Sequence, residues 1–100
     1  MSGEYKKPPM SEGETPTAIT KRTVPTTAEK IFKGSRPGMI WELTCDEDNT
    51  GEILLGKTAD KCEYPMKASD VKVTAADLEK VWWKSDNGTE VMHIWGEADR

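Results

Sequence analysis

The chain has few of the residues on which active sites depend. Its 100 residues include one histidine and two cysteines. A nucleophilic site with a histidine base would have to use His93, which lies among bulky apolar residues where a structural histidine is more common. There is also no glycine-rich phosphate loop and no Gly-x-Ser-x-Gly motif. We therefore expect that the protein is not an enzyme and binds no cofactor.

Clustered positive charge and long apolar runs are also missing. The formal net charge is −4, the isoelectric point is about 5.0, and the lysines and arginines are scattered. Nucleic acids and anionic membranes attract clustered basic residues, so neither is an expected partner. No apolar run approaches the roughly 20 residues of a membrane-spanning helix. The first 14 residues lack the apolar core of a secretory signal, which favours a cytoplasmic location, or a virus particle if the protein is viral.

The two cysteines, Cys45 and Cys62, leave two alternatives open. Reduced thiols, one or both buried, are favoured in a chain without a secretory signal. A disulfide between the two cysteines would stabilise the fold by about 3 kcal/mol, but it needs an oxidising compartment. No metal site is expected, because a single histidine would leave carboxylates to complete a zinc ligand set.

Composition divides the chain into three segments. Residues 1–25 are predicted to be a flexible or extended arm, because they are rich in Pro, Thr, Ser, Glu and Lys and have little to bury. Residues 26–96 are predicted to form one small globular domain, and residues 97–100 a polar tail. Residues 1–24 contain four lysines or arginines against three glutamates, so a mildly basic arm precedes a remainder of the chain with net charge −5.

Short periodic segments predict a mainly β domain. Residues 39–45, MIWELTC, alternate apolar and polar side chains as a half-buried strand does. Residues 52–57 are predicted to return as the partner strand after an acidic turn, and residues 71–73 to form a short strand. Pro65 predicts a loop in the segment between them, because proline interrupts regular structure.

Two spacings typical of a capping box predict one or two short helices. Thr26 precedes Glu29 by three residues, and Thr74 precedes Asp77 by three. The expected fold is therefore of α+β class, mainly β, with four or five antiparallel strands. They would form a small barrel or a two-layer sheet, and the SH3-like type of barrel is one candidate.

The Asn87-Gly88 dipeptide separates two apolar segments and predicts a β-hairpin with a two-residue type I′ turn. That register places Trp83 opposite Met92. A three-residue loop would shift the pairing by one residue and reverse the faces of the second strand. In both registers Trp83 is predicted to be core, whereas Trp82 alternates with lysines and lies on the wetter face.

The spare tryptophan suggests a contact surface, since aromatic side chains dominate the binding energy of many protein interfaces. The predicted partner-binding residues are Trp82, Trp95, His93, Lys80 and Lys84. The arm is predicted to make contacts through Tyr5, Lys21 and Arg22. The structural alternative is that lysine stems or the arm half cover Trp82.

The acidic segment DEDNTGEILLGK partly matches a calcium-binding loop. Asp46, Asp48 and Thr50 match the first three ligand positions, and Gly51 follows them. The last position, which should hold a bidentate glutamate, is Lys57. A solvated acidic turn is therefore the favoured interpretation.

Together these features favour a non-enzymatic protein-interaction or structural module. We expect an accessory subunit of a larger assembly, such as a viral decoration or connector protein, whose arm becomes ordered on binding a protein partner or further copies of the chain. One alternative is a ligand-binding module in which Trp82 and Trp95 stack on a glycan or a proline-rich peptide. Another is an acidic inhibitor that mimics nucleic acid, for which a net charge of −4 is small.

Overall fold

Alternating apolar residues build two antiparallel sheets whose inner faces meet in one core. The computed structural model describes residues 18–35 and 37–98. In chain order the strands are β1 Ala18–Thr23, β2 Glu29–Lys30, β3 Met39–Cys45, β4 Ile53–Gly56, β5 Cys62–Met66, β6 Val71–Thr74, β7 Trp82–Ser85 and β8 Val91–Ala98. Sheet A has the order β1-β8-β3-β6, and sheet B the order β2-β7-β4-β5.

The predicted strand β3 shows how the core forms. Its odd-numbered residues, from Met39 to Cys45, are buried, and its even-numbered residues face outward. Trp41 is fully buried and lies across from Gly96 of β8. A Cβ atom at position 96 would lie 2.2 Å from Cζ3 of Trp41, so only glycine leaves room for this indole. Trp83 of sheet B is likewise fully buried, which confirms its predicted place in the core.

The predicted fold class is confirmed in its two-layer form. The described part of the chain is mostly β, with two antiparallel sheets and no closed barrel. The single helical element there is a 3₁₀ turn, Leu78–Lys80. Its N-cap is Asp77, whose carboxylate accepts a hydrogen bond from the Glu79 amide at 3.1 Å, so the predicted second helix is one turn that begins after Asp77 rather than after Thr74.

The helix predicted after Thr26 is wrong. Glu29 and Lys30 instead pair with β7, and the amide of the fully buried Ile31 donates to the Val81 carbonyl at 2.9 Å. A helix of so few residues cannot recover its nucleation cost from its own hydrogen bonds. Pairing with β7 and burial of Ile31 therefore override the local capping signal.

The predicted hairpin is also wrong, because β7 and β8 lie in different sheets. Gly88 has φ +73°, but Asn87 does not have the positive φ that a type I′ turn requires. The loop instead carries the chain across the core from sheet B to sheet A. The two-residue register nevertheless predicts correctly that Trp83, Met92 and Ile94 are buried. Inward and outward residues alternate within each strand, whichever strand it pairs with.

Two further predictions are wrong: that β4 pairs with β3, and that Pro65 lies in a loop. The acidic turn is present, but it leads from sheet A to sheet B, where β4 pairs with β5 and β7. Pro65 lies in β5 opposite Leu54. β5 is an edge strand with one neighbour, which is where a sheet tolerates a residue without an N–H group.

The β structure extends past both predicted domain boundaries. β1, in the segment predicted to be an arm, pairs with β8 along all six of its residues. Glu97 and Ala98, in the predicted tail, continue β8 opposite β3. Residues 1–17 lie outside the described part of the chain. No helix within the described ranges is long and apolar enough to cross a membrane.

Candidate functional site

The outer face of sheet A carries an exposed apolar patch. Pairing places Val73, Glu42 and Trp95 side by side in one row across β6, β3 and β8. Val73 is 63% exposed, Val71 in the next row 53%, and Trp95 44%. We call Val71, Val73 and Trp95 the valine–tryptophan patch. Exposed apolar groups that lie together on one face are typical of contact surfaces.

Polar groups surround this patch. The indole N–H of Trp95 donates to Oε2 of Glu97 at 2.8 Å, which holds the ring against its strand. A shallow depression of about 550 Å³ on one side of Trp95 is lined by two threonines, Lys21, Glu42 and His93, among others. The outer face of sheet A therefore mixes exposed apolar side chains with polar ones, and the exposed Glu42 lies between Val73 and Trp95.

His93 forms the side of the patch nearest the acidic turn. Its Nε2 lies 2.9 Å from Oδ1 of Asp46. This hydrogen bond, and next the one from the Asp48 amide, hold the pKa of Asp46 below its ordinary value of 3.8. The carboxylate of Asp46, the first residue of the calcium-like segment, is thus hydrogen-bonded to His93 and to the Asp48 amide. Within residues 18–35 and 37–98 no cluster of three or more His, Cys, Asp or Glu residues could hold a metal ion.

The predicted site residues do not come together. Trp82 and Lys84 lie on the outer face of sheet B, because they alternate with the buried Trp83 and Ser85. His93 and Trp95 lie on the outer face of sheet A, on the opposite side of the molecule. Lys80 ends the 3₁₀ turn. Trp82 and Trp95 therefore cannot form one stacking platform.

The two basic residues predicted to contact the arm have different surroundings. Lys21 faces outward beside His93, its partner in the β1–β8 pairing. Arg22 pairs with the buried Met92 and faces the core. Its guanidinium lies 4.9 Å from the centre of the Trp83 ring and donates to the Ile31 carbonyl. Arg22 thus packs against two fully buried core residues, Trp83 and Ile31. Tyr5 lies outside the described residues.

Glu90 is a structural residue that the sequence analysis missed. It is 1% exposed, and its carboxylate accepts hydrogen bonds from the amides of Thr50 and Gly51 at 3.0 and 3.1 Å and from the Asn87 side chain at 2.9 Å. One buried carboxylate thus joins two loops that cross between the sheets. No local pattern marks Glu90, since Thr50 and Gly51, two of its three partners, lie 40 and 39 residues away.

Both cysteines are free and buried, as the reduced alternative predicts. Burial raises the pKa of Cys45 to about 11, with the Asp70 and Glu90 carboxylates adding to the effect. Burial also raises the pKa of Cys62. The thiolate, which is the nucleophilic form, is therefore disfavoured at both positions, and neither has the environment of a reactive cysteine.

Comparison with family models, with curated proteins and with solved structures gives no match.

Proposed function

We propose that this chain is a non-enzymatic protein-interaction module, an accessory subunit of a larger assembly, and that the valine–tryptophan patch is its contact surface. The observation that carries the proposal is the exposed row in which Val73 and Trp95 flank Glu42. Covering these side chains would remove apolar area from water, and a large rigid indole at the centre of an interface is a frequent binding hot spot.

The charges on this face indicate what a partner should carry. Glu42 lies between Val73 and Trp95, and Glu97 holds the indole. A complementary partner would present an apolar group for Trp95 and a cation near Glu42, because an unpaired charge inside an interface is costly. The partner is another protein of the assembly, in the cytoplasm or, for a viral assembly, in the particle.

The predicted arm supports the same surface. Ala18, where the described chain begins, pairs with Gly96, the residue next to Trp95. The first described residue therefore lies in the strand next to Trp95. We propose that residues 1–17 become ordered over the partner on binding and add contacts at that side.

Site-specific photo-crosslinking tests the proposal in cells that contain the full assembly. A photoreactive phenylalanine derivative replaces Lys21, on the outer face of sheet A, or Lys84, on the outer face of sheet B. We expect one defined protein adduct from position 21 that Trp95→Ala reduces at least about tenfold, and none from position 84. An adduct from position 84 alone, or adducts that Trp95→Ala leaves unchanged, would contradict the proposal. An adduct with twice the mass of the chain would identify a second copy and contradict the partner we propose.

A glycan or proline-rich peptide that stacks on Trp95 alone is the second candidate. It is favoured by the depression beside the ring, whose two threonines and Glu42 offer hydrogen bonds to hydroxyl groups. Quenching of tryptophan fluorescence by soluble oligosaccharides or a polyproline peptide, absent in Trp95→Ala, would favour it. A nucleic-acid mimic would instead show partner binding that weakens steeply with salt.

A further inference from the structure

The free edges of the two sheets differ in how well they are protected against pairing with another chain. Among the described strands, β2 has two residues and β5 contains Pro65. β1 directs the charged Arg22 inward. Short length, proline and inward-facing charge all discourage the addition of a strand. β6 shares one of these devices, since Lys72 points inward, but it has no proline and no bulge, and its outward side chains, Val71 and Val73, are apolar and exposed.

An apolar groove lies directly beside the β6 edge. Its volume is about 260 Å³. Its side walls come from both sheets, and its apolar lining includes Leu43, Leu55, Leu78 and Val81. The charged side chains among the described lining residues are Lys57 and Lys72, with no carboxylate. The groove therefore combines an apolar floor with positive charge, in a chain whose net charge is negative.

Two inward side chains lie between the β6 edge of sheet A and the β5 edge of sheet B. Lys72 lies opposite Leu43, and Tyr64 of β5 lies opposite Leu55, so both project from the inner faces of their sheets. The Lys72 ammonium lies 4.6 Å from the centre of the Tyr64 ring. This cation–π contact spans the space between the two edge strands, and Tyr64 stays 51% exposed.

We propose that β6 accepts an extended segment of another protein as a fifth strand of sheet A, with inward side chains that are apolar and acidic. A strand beside β6 would pair with the backbone groups that β3 leaves free. Its inward apolar side chains would cover the groove and Tyr64, and an inward carboxylate would meet Lys57 and Lys72. This inference rests on the proposed role as an interaction module, but it uses the free edge of β6 and the groove on its inner side rather than the outer face that carries Trp95.

Neither a second copy nor the chain's own first residues fit this edge. The β6 strand of a copy would turn Lys72 and Thr74 inward, which would bring like charges together at the groove and leave its apolar floor without apolar contacts. Residues 1–17 contain Pro8, Pro9 and Pro16 and no apolar alternation. A segment of a different protein is the occupant that the charges and the lining favour.

A random eight-residue peptide library displayed on phage, selected against the purified full chain, supplies the probe. We expect enriched peptides in which every second residue is apolar or acidic, while the residues between them are of any type. One of them, made synthetically, is titrated into labelled protein and followed by NMR, and the amide signals of Val71–Thr74 should shift most. The double variant Lys57→Glu/Lys72→Glu should bind it about fivefold or more weakly. The matched variant Lys21→Glu/Lys84→Glu, with the same change of charge on the outer faces, should bind it as the wild type does.

Two N-methylated versions of the peptide test the backbone pairing. They carry methyl groups on alternate sets of amides, and only the set that faces β6 should abolish binding. Equal binding by both versions, equal binding by the Lys57→Glu/Lys72→Glu variant, enrichment of peptides without alternation, or no enrichment would each overturn the inference.

The Trp95→Ala variant separates this inference from the proposed function. It should bind the peptide as the wild type does, because Trp95 is not part of the groove. If peptide binding succeeds while the crosslink from position 21 fails, the proposed contact at the valine–tryptophan patch is wrong and the β6 site stands. If the crosslink from position 21 succeeds while peptide binding fails, the β6 site is wrong and the proposed contact at the valine–tryptophan patch stands.

Discussion

The outer faces of the two sheets each carry one tryptophan, but the two indoles differ in what covers them. Trp95 on sheet A lies beside Glu42 and is 44% exposed. Trp82 on sheet B is half-buried, with the ammonium of Lys30, its partner in the pairing, 5.8 Å from the ring centre. Alternation places both side chains outward, and the cross-strand neighbour then decides whether the ring is available for contact. The same residue type therefore has a structural role on one face and a proposed binding role on the other.

The largest expected effect comes from Gly96→Ala, which acts on sheet A. The new Cβ would lie 2.2 Å from the Trp41 ring, so the indole or β8 must move. We expect a loss of about 3 kcal/mol in the free energy of unfolding, measured by urea titration. NMR shifts should concentrate around Trp95 and leave Trp82 unchanged. Gly34→Ala is the control, because its Cβ would meet no atom within 4 Å. Equal stability of the two variants would show that Trp41 is not packed against β8.

Glu90→Gln should destabilise both sheets together. Oε1 of Glu90 accepts from the Thr50 amide, and Oε2 accepts from the Gly51 amide and the Asn87 side chain, so the new amide N–H₂ would face a donor in either orientation. We expect a loss of about 2 kcal/mol in the free energy of unfolding, because buried donors lose their acceptor. Glu47→Gln, at an exposed position of the neighbouring turn, should have no effect. A wild-type stability for Glu90→Gln would refute the bridging role of this carboxylate.

Alanine substitution should lower stability more at Trp82 than at Trp95. Trp82→Ala should lower the free energy of unfolding by about 1 kcal/mol, since it removes a half-buried ring and its contact with Lys30. Trp95→Ala should change that free energy by less than about 0.5 kcal/mol, as is usual for exposed residues. The two variants are compared by urea titration. A larger loss of stability at Trp95 than at Trp82 would contradict the distinction between the faces.

The smallest expected effect concerns the pH dependence of Asp46. Its pKa is lowered in the folded state, first by the His93 hydrogen bond, so ionisation of this carboxyl favours folding. That stabilisation is complete above the ordinary pKa of 3.8 and is lost as the pH falls through the lower folded value. Asp46→Asn should therefore be less stable than the wild type at neutral pH, and the difference should shrink below pH 3.8. A difference that does not change with pH would contradict this assignment.

Features that depend on neighbouring residues were predictable from the sequence, and features that depend on pairing between distant strands were not. Alternation in residues 39–45 predicts the inward and outward sides of β3 correctly, and the same pattern separates Trp83 from Trp82. The hairpin prediction failed because Asn87-Gly88 indicates a turn but does not say which strands it joins. The capping signal at Thr26 failed because it competes with burial of Ile31, whose partners are far along the chain.

The candidate site shows the same limit. The alternating valines of residues 71–73 indicate a strand, but only the pairing shows that this strand is an edge and that Val73 shares a row with Trp95. The predicted site combined Trp82 with Trp95 because the two-residue hairpin register would place both on one face of the same pair of strands. The assignment of their strands to different sheets separates them by the thickness of the core.

The position of β8 has a consequence for how the chain folds as it is synthesised. β8 ends at Ala98, yet it is the strand that joins β1 to β3 in the interior of sheet A. Of the connections between successive strands, only that from β4 to β5 stays within one sheet as a local pair. Sheet A therefore cannot be completed before β8 has been synthesised, and β8 follows the seven other described strands in the chain. Until then the edge of β3 that pairs with β8 has no partner in sheet A.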